Sequence, residues 1–136
     1  MHQIKPILLN VIYYLFPTDI DSVSNNLLAH TIDREICLVF SDGSNIYISW
    51  HTDPVTYCIG FKTKSFFIND NYIMKDMTGT ELWKNAVGRE ISLNFLDSEH
   101  QVLEITTNSH SVFCSSFENS NWFKDVISIT KVNSRL

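Results

Sequence analysis

The stretch REICLVFSDGSNIYISW, residues 34–50, reads as two short β-strands joined by a tight turn. Ile36, Leu38 and Phe40 alternate along the first strand, and Ile46, Ile48 and Trp50 alternate against Tyr47 and Ser49 along the second. A period of two sends successive side chains to opposite faces of a sheet, so each strand has one apolar face to bury. Asp42-Gly43 suits the turn, because glycine accepts a positive φ and an aspartate side chain can bond its own backbone two residues on. The opening of this stretch returns 55 positions later as REISLNFLDSE, residues 89–99. Arg-Glu-Ile recurs, Leu38 matches Leu93, Phe40 matches Phe95 and Asp42 matches Asp97, while the turn drifts from Asp-Gly-Ser to Asp-Ser-Glu. Apolar alternation is what survives, so the repetition predicts two similar sheet halves that cover each other's core face.

Outward from the first hairpin, VTYCIGF and SFFI continue as strands and give a meander over residues 34–69. ISLNF, QVLEIT, SVFCSSF and WFKDVISITKV give a second meander over residues 89–132. Between them Thr78 and Glu81 fit a capping box, and Leu82, Trp83, Ala86 and Val87 share one helical face before Gly88, which predicts a short helix over 78–87. Ahead of the first meander, Pro6 and Pro17 bracket an apolar run with apolar side chains at 7, 8, 11, 12, 15 and 16. That spacing favours a helix, although its β-branched and aromatic residues would equally suit a strand. Thr18 and Asp19 cap a further segment with Ile20, Val23, Leu27 and Leu28 at helical spacing, so residues 6–30 are predicted helical. The expected fold is α+β in a single domain over residues 1–136. It is predominantly antiparallel β, with two pseudo-repeated meanders packed as a sandwich or half-barrel and two or three short helices.

The 136-residue chain, 44% hydrophobic and 18% charged, can bury a core without a disulfide or metal staple. Its net charge of −5 argues against a phosphate-binding surface and hence against nucleic acid. Cys37, Cys58 and Cys114 form no Cys-x-x-Cys pair and sit in apolar runs, which predicts buried free thiols in a reducing cytoplasm. The run Ile7 to Phe16 is too short to span a bilayer as a helix, and no small-x-small cleavage site follows it; neither a membrane nor an export signal is expected.

Reacting groups are scattered. His2, His30, His51, His100 and His110 lack metal-ligand spacing; the nearest approach to a metal set is His110 with Cys114, joined by Cys37 from the first meander. There is no Gly-x-Ser-x-Gly elbow and no phosphate-cradling glycine loop, and Asp19/Asp21 and Asp97/Glu99 have ready roles in a helix first turn and a hairpin turn. No catalytic residue, metal or cofactor is assigned. Charge is distributed more tellingly: from Glu90 to Trp122 there is no Lys or Arg, while Glu90, Asp97, Glu99, Glu104 and Glu118 all fall in that window. An acidic surface speeds encounter with a basic partner and offers acceptors to its Arg and Lys.

The arrangement Trp83…VGREISLNF…VLEI…SFENSNWFKDVISI, over residues 83–130, resembles the small bacterial immunity proteins of contact-dependent and other interbacterial toxin systems. The resemblance implies a non-catalytic, cytoplasmic protein, a monomer or weak dimer, that neutralises a cognate toxin, such as a basic nuclease, by covering its active site. Asp97, Glu99, Glu104 and Glu118, with Trp122, are the expected partner-facing residues. The alternative is a small-molecule-binding or hydrolytic β-domain, with His51, His110, Trp50, Tyr57 and Trp122 lining a pocket. A subunit that self-associates through an exposed strand is a third.

Overall fold

The computed structural model describes residues 2–4, 6–17, 29–52, 57–67, 71–108, 110–115 and 127–132. The strands in chain order are β1 (His2–Ile4), β2 (Leu8–Leu15), β3 (Ala29–Ile32), β4 (Glu35–Phe40), β5 (Asn45–Thr52), β6 (Tyr57–Lys62), β7 (Ile73–Asp76), β8 (Ile91–Phe95), β9 (Val102–Thr106), β10 (Ser111–Ser115) and β11 (Ile127–Val132). They build two antiparallel sheets, a larger one in the order β1-β8-β9-β10-β11-β3 and a smaller one in the order β6-β5-β4-β2-β7. The opening stretch is the β4–β5 hairpin, with Ile36 opposite Ile48 and Leu38 opposite Ile46. Its turn uses Gly43 at φ 87°, and the Asp42 carboxylate accepts the Ser44 amide at 2.9 Å and the Ser44 hydroxyl at 2.6 Å. The second stretch is the β8–β9 hairpin in the other sheet, with Leu93 opposite Ile105.

The apolar faces of the two sheets meet in one core. Val11, Ile36, Leu38, Ile48 and Ile59 from the smaller sheet and Ile91, Leu93, Leu103, Ile105, Cys114 and Ile129 from the larger belong to a single buried cluster. Full burial of each such aliphatic side chain contributes about 1.5–3 kcal/mol, so this shared face dominates the stability. Among the described residues, two backbone stitches tie the sheets. Ile59 N–H donates to the His100 carbonyl at 2.8 Å, and where the chain passes from β1 to β2 the Leu8 and Arg89/Gly88 backbones exchange bonds of 3.0 and 2.7 Å.

The predominantly antiparallel expectation holds, and the helical expectations do not. Residues 8–15 form strand β2, hydrogen-bonded to β4 on one side and β7 on the other. The register shifts between Leu8 and Asn10, and this bulge puts Leu8 and Val11, three apart, on the same buried face. A bulge in a strand thereby imitates the first step of a helical period. Val11, Ile12, Tyr13 and Tyr14, β-branched and aromatic, then pack in the extended conformation that suits them. Ala29 and His30, the end of the second expected helix, belong to β3; residues 18–28 of that expectation lie outside the described residues.

Residues 78–87 form successive turns. Trp83 and Lys84 N–H both donate to the Thr80 carbonyl, and Ala86 and Val87 N–H to that of Trp83. The expected inward face is correct, with Leu82, Trp83 and Ala86 buried, but the capping box is absent. Thr78 Oγ1 instead donates to Asp76 at 2.5 Å and accepts the Val11 amide at 3.1 Å, and Glu81 pairs with Lys84. Ten residues are too few to form a helix on propensity, so tertiary anchoring sets the path, and Gly88 at φ 87° ends it. The SFFI segment also departs from expectation: residues 65–67 lie across the outer face of the smaller sheet and are not a strand. No helix among the described residues is long and apolar enough to cross a membrane.

Candidate functional site

The outer face of the smaller sheet carries a polar cluster around Arg34 and Glu35. Arg34, at the entry to β4, is 1% exposed, and its guanidinium carbon lies 4.7 Å from the ring centre of Phe67, 4.9 Å from that of Tyr72 and 5.3 Å from that of Phe16. A planar, weakly hydrated cation is the one charged group that stacks well on several rings at once. Its Nη1 also donates to the Asn71 carbonyl at 3.4 Å. Glu35 is fully buried; its carboxylate accepts the Ser65 hydroxyl at 2.6 Å and the Phe66 amide at 3.0 Å. Ser49 Oγ donates to the Arg34 carbonyl at 2.6 Å, and Trp50 Nε1 to that of Asp33 at 3.2 Å. Tyr72 stacks on Tyr14 at 4.8 Å, and Tyr14 meets Tyr47 edge-on. The Arg-Glu pair thus clamps residues 65–67 and 71–72 over the sheet as a strap. Burial pushes the Cys37 thiol up, against an opposing hydrogen bond from Tyr47, and burial alone pushes Cys114 up to about 12. A protonated thiol is a poor nucleophile, so both behave as small buried residues.

A second polar chain runs through the core. Trp83 Nε1–H can only donate, and it does so to the Tyr13 hydroxyl at 2.8 Å; that hydroxyl lies 2.7 Å from His30 Nδ1. With the Trp83 N–H donating to it, the Tyr13 hydroxyl links the indole to the His30 ring in one continuous hydrogen-bonded chain. The chain joins β2, β3 and the 78–87 turns, and Trp83 and Tyr13 are fully buried. Burial, and then the Lys75 charge, lower the His30 pKa below its ordinary 6.5. The unfolded state therefore binds the proton first. Stability is complete above pH 6.5 and falls as the pH drops through 6.5 toward the lowered value, with a slope of at most about 1.4 kcal/mol per pH unit. Urea midpoints measured between pH 7.5 and 5.5 should fall for the wild type and fall less for His30→Asn, whose amide oxygen can accept the Tyr13 hydroxyl without titrating.

The expected partner-facing residues part company. Asp97 is half-buried and holds the β8–β9 turn: its carboxylate accepts the Gln101 amide at 2.9 Å and the Val102 amide at 3.1 Å. Glu99 is exposed at the tip of that turn, beside Leu96, which is 52% exposed. Glu104 is 5% exposed, and its carboxylate accepts the Ser111 hydroxyl at 2.8 Å, so it is not part of a solvent-facing acidic surface. Strand alternation does turn it away from the core, beside Asn94 and Phe113, but that face is covered at this point. Glu118 and Trp122 lie outside the described residues. His100, at φ 58°, stacks on Phe95 with ring centres 3.9 Å apart, which offsets a backbone conformation costly for a residue with a Cβ. The turn is thus locked at both ends and presents Leu96 and Glu99.

At the other end of β8, Ile7, Gly88, Arg89, Glu90 and Asn108 line an open cleft of about 260 Å³. It shares no residue with the pocket expected of a hydrolytic domain. Trp50 from that set is held by Asp33, and the side chains of His51, Tyr57 and Trp122 lie outside the description. Cys37 alternates with the core residues Ile36 and Leu38 on β4 while Cys114 is in the core, and no group of three His, Cys, Asp or Glu that could hold a metal occurs among the described residues. Neither the strap nor the cleft has a local signature, since each joins residues 30 or more positions apart. No protein-family model matches the chain, and neither a curated protein nor a solved structure does.

Proposed function

We propose that the chain is a non-catalytic protein-binding module that acts as an immunity protein, neutralising a cognate bacterial toxin in the cytoplasm by covering its active site. The observation that carries this reading is the β8–β9 turn. Asp97, the Phe95–His100 stack and the Ile59–His100 backbone bond hold it rigid, while Leu96 and Glu99 stand in solvent. A preorganised tip with one apolar anchor beside one carboxylate loses little entropy on docking and suits a basic toxin surface. Chemistry-bearing groups such as Cys37, Cys114, Tyr13 and Glu35 are buried within the fold, which supports binding over catalysis. The two meanders are, on this reading, copies of one unit, in which the first spent its Arg-Glu opening on the strap and the second left its turn for a partner. Co-expression with the toxin domain encoded beside it should yield a one-to-one complex. Purification of the two as separate species would overturn the assignment.

A further inference from the structure

Arg89–Glu90 stands immediately before β8, as Arg34–Glu35 stands at the start of β4, yet the two dipeptides meet opposite surroundings. The first is buried: Arg34 lies against the Phe67 ring and Glu35 accepts the Ser65 hydroxyl and the Phe66 amide. Ser65 itself closes a tight turn, accepting the Phe67 amide at 3.1 Å. The second dipeptide is exposed and lines the cleft with Ile7, Gly88 and Asn108. At about 260 Å³ the cleft falls below the range of about 300–1,000 Å³ typical of small-molecule pockets and suits one or two side chains. Its floor is fixed by the Leu8 bonds to Gly88 and Arg89, and Ile7, 40% exposed, gives it an apolar wall.

We propose that this cleft binds a serine-aromatic turn of a partner polypeptide, in the way that Arg34–Glu35 binds Ser65-Phe66-Phe67. The Glu90 carboxylate accepts the partner's serine hydroxyl and the following amide, Arg89 lies over the aromatic ring, Ile7 packs against its edge, and the Asn108 amide bonds the partner's backbone. The site lies about 17 Å from the Leu96–Glu99 tip, the length of a five-residue strand, and does not depend on the toxin reading.

The probe is a blocked hexapeptide Lys-Ser-Phe-Phe-Ile-Asn, the sequence of residues 64–69, titrated into the isotope-labelled full chain and followed by amide chemical shifts. Shift changes are expected at Ile7, Gly88, Arg89, Glu90 and Asn108. Arg89→Ala or Glu90→Gln should each weaken binding about tenfold with an unchanged urea midpoint, and a peptide with alanine for both phenylalanines should not bind. No shift changes at millimolar peptide, changes confined to Arg34, Glu35 and Phe67, or binding indifferent to both variants would each overturn the proposal.

Discussion

Glu35→Ala should lower the unfolding free energy by about 3 kcal/mol, whereas Glu90→Ala, the same residue in the second copy of the dipeptide, should change it by less than about 0.5 kcal/mol. The Glu35 carboxylate is fully buried and takes bonds from Ser65 Oγ and Phe66 N–H. Two hydrogen bonds to a carboxylate contribute about 3–6 kcal/mol, and relief of its desolvation in the variant returns part of that. The loss also frees the strap, which weakens the packing of Phe67 and Tyr72 on Arg34. Glu90 is exposed, so its removal disturbs no packed group. Urea unfolding of both variants beside the wild type checks the pair. Equal effects would mean that the strap does not depend on the Glu35 clamp.

Tyr13→Phe should cost about 2–5 kcal/mol although it removes one oxygen and leaves the ring. The lost hydroxyl is the only acceptor described for Trp83 Nε1 and the hydrogen-bond partner of His30 Nδ1. Both partners are buried, where an orphaned polar group costs about 1–3 kcal/mol, and neither has room to turn to water. The near-isosteric change opens no cavity of consequence, so the loss measures hydrogen bonding alone. Calorimetric unfolding of this variant, with Trp83 emission as a second probe, should show a single transition at lower temperature; an unchanged transition would remove the core chain from the stability account.

The parts of the fold that the chain announces locally are the parts that its sequence predicts. The β4–β5 and β8–β9 hairpins are legible because alternation and turn residues act over ten or fewer positions, and the strands of the second meander follow for the same reason. The N-terminal strand is misread because its bulge gives Leu8 and Val11 a helical separation, and nothing local reveals that β4 and β7 flank it. For residues 78–87 the inward face is legible and the conformation is not, since Trp83 is placed by Tyr13, 70 positions away. Of the expected site, charge sign is legible and exposure is not. Glu99 and Glu104 look alike in the sequence, yet one tips a turn and the other is covered. Arg34–Glu35 reads as the first half of a repeat and turns out to be a clamp, because its partners come from residues 65–67 and 71–72.

The central claim is that the locked β8–β9 turn is the partner-binding surface. The most direct measurement is the affinity of the wild-type chain and of the double variant Leu96→Ser/Glu99→Lys for the toxin domain proposed as its partner, by titration calorimetry, with urea midpoints in parallel. Both side chains are solvent-exposed, so the midpoint should not move. The affinity should fall about a hundredfold or more, as expected when an apolar anchor and its adjacent charge are lost together. A double variant that is equally stable and binds the toxin as tightly as the wild type would contradict the account.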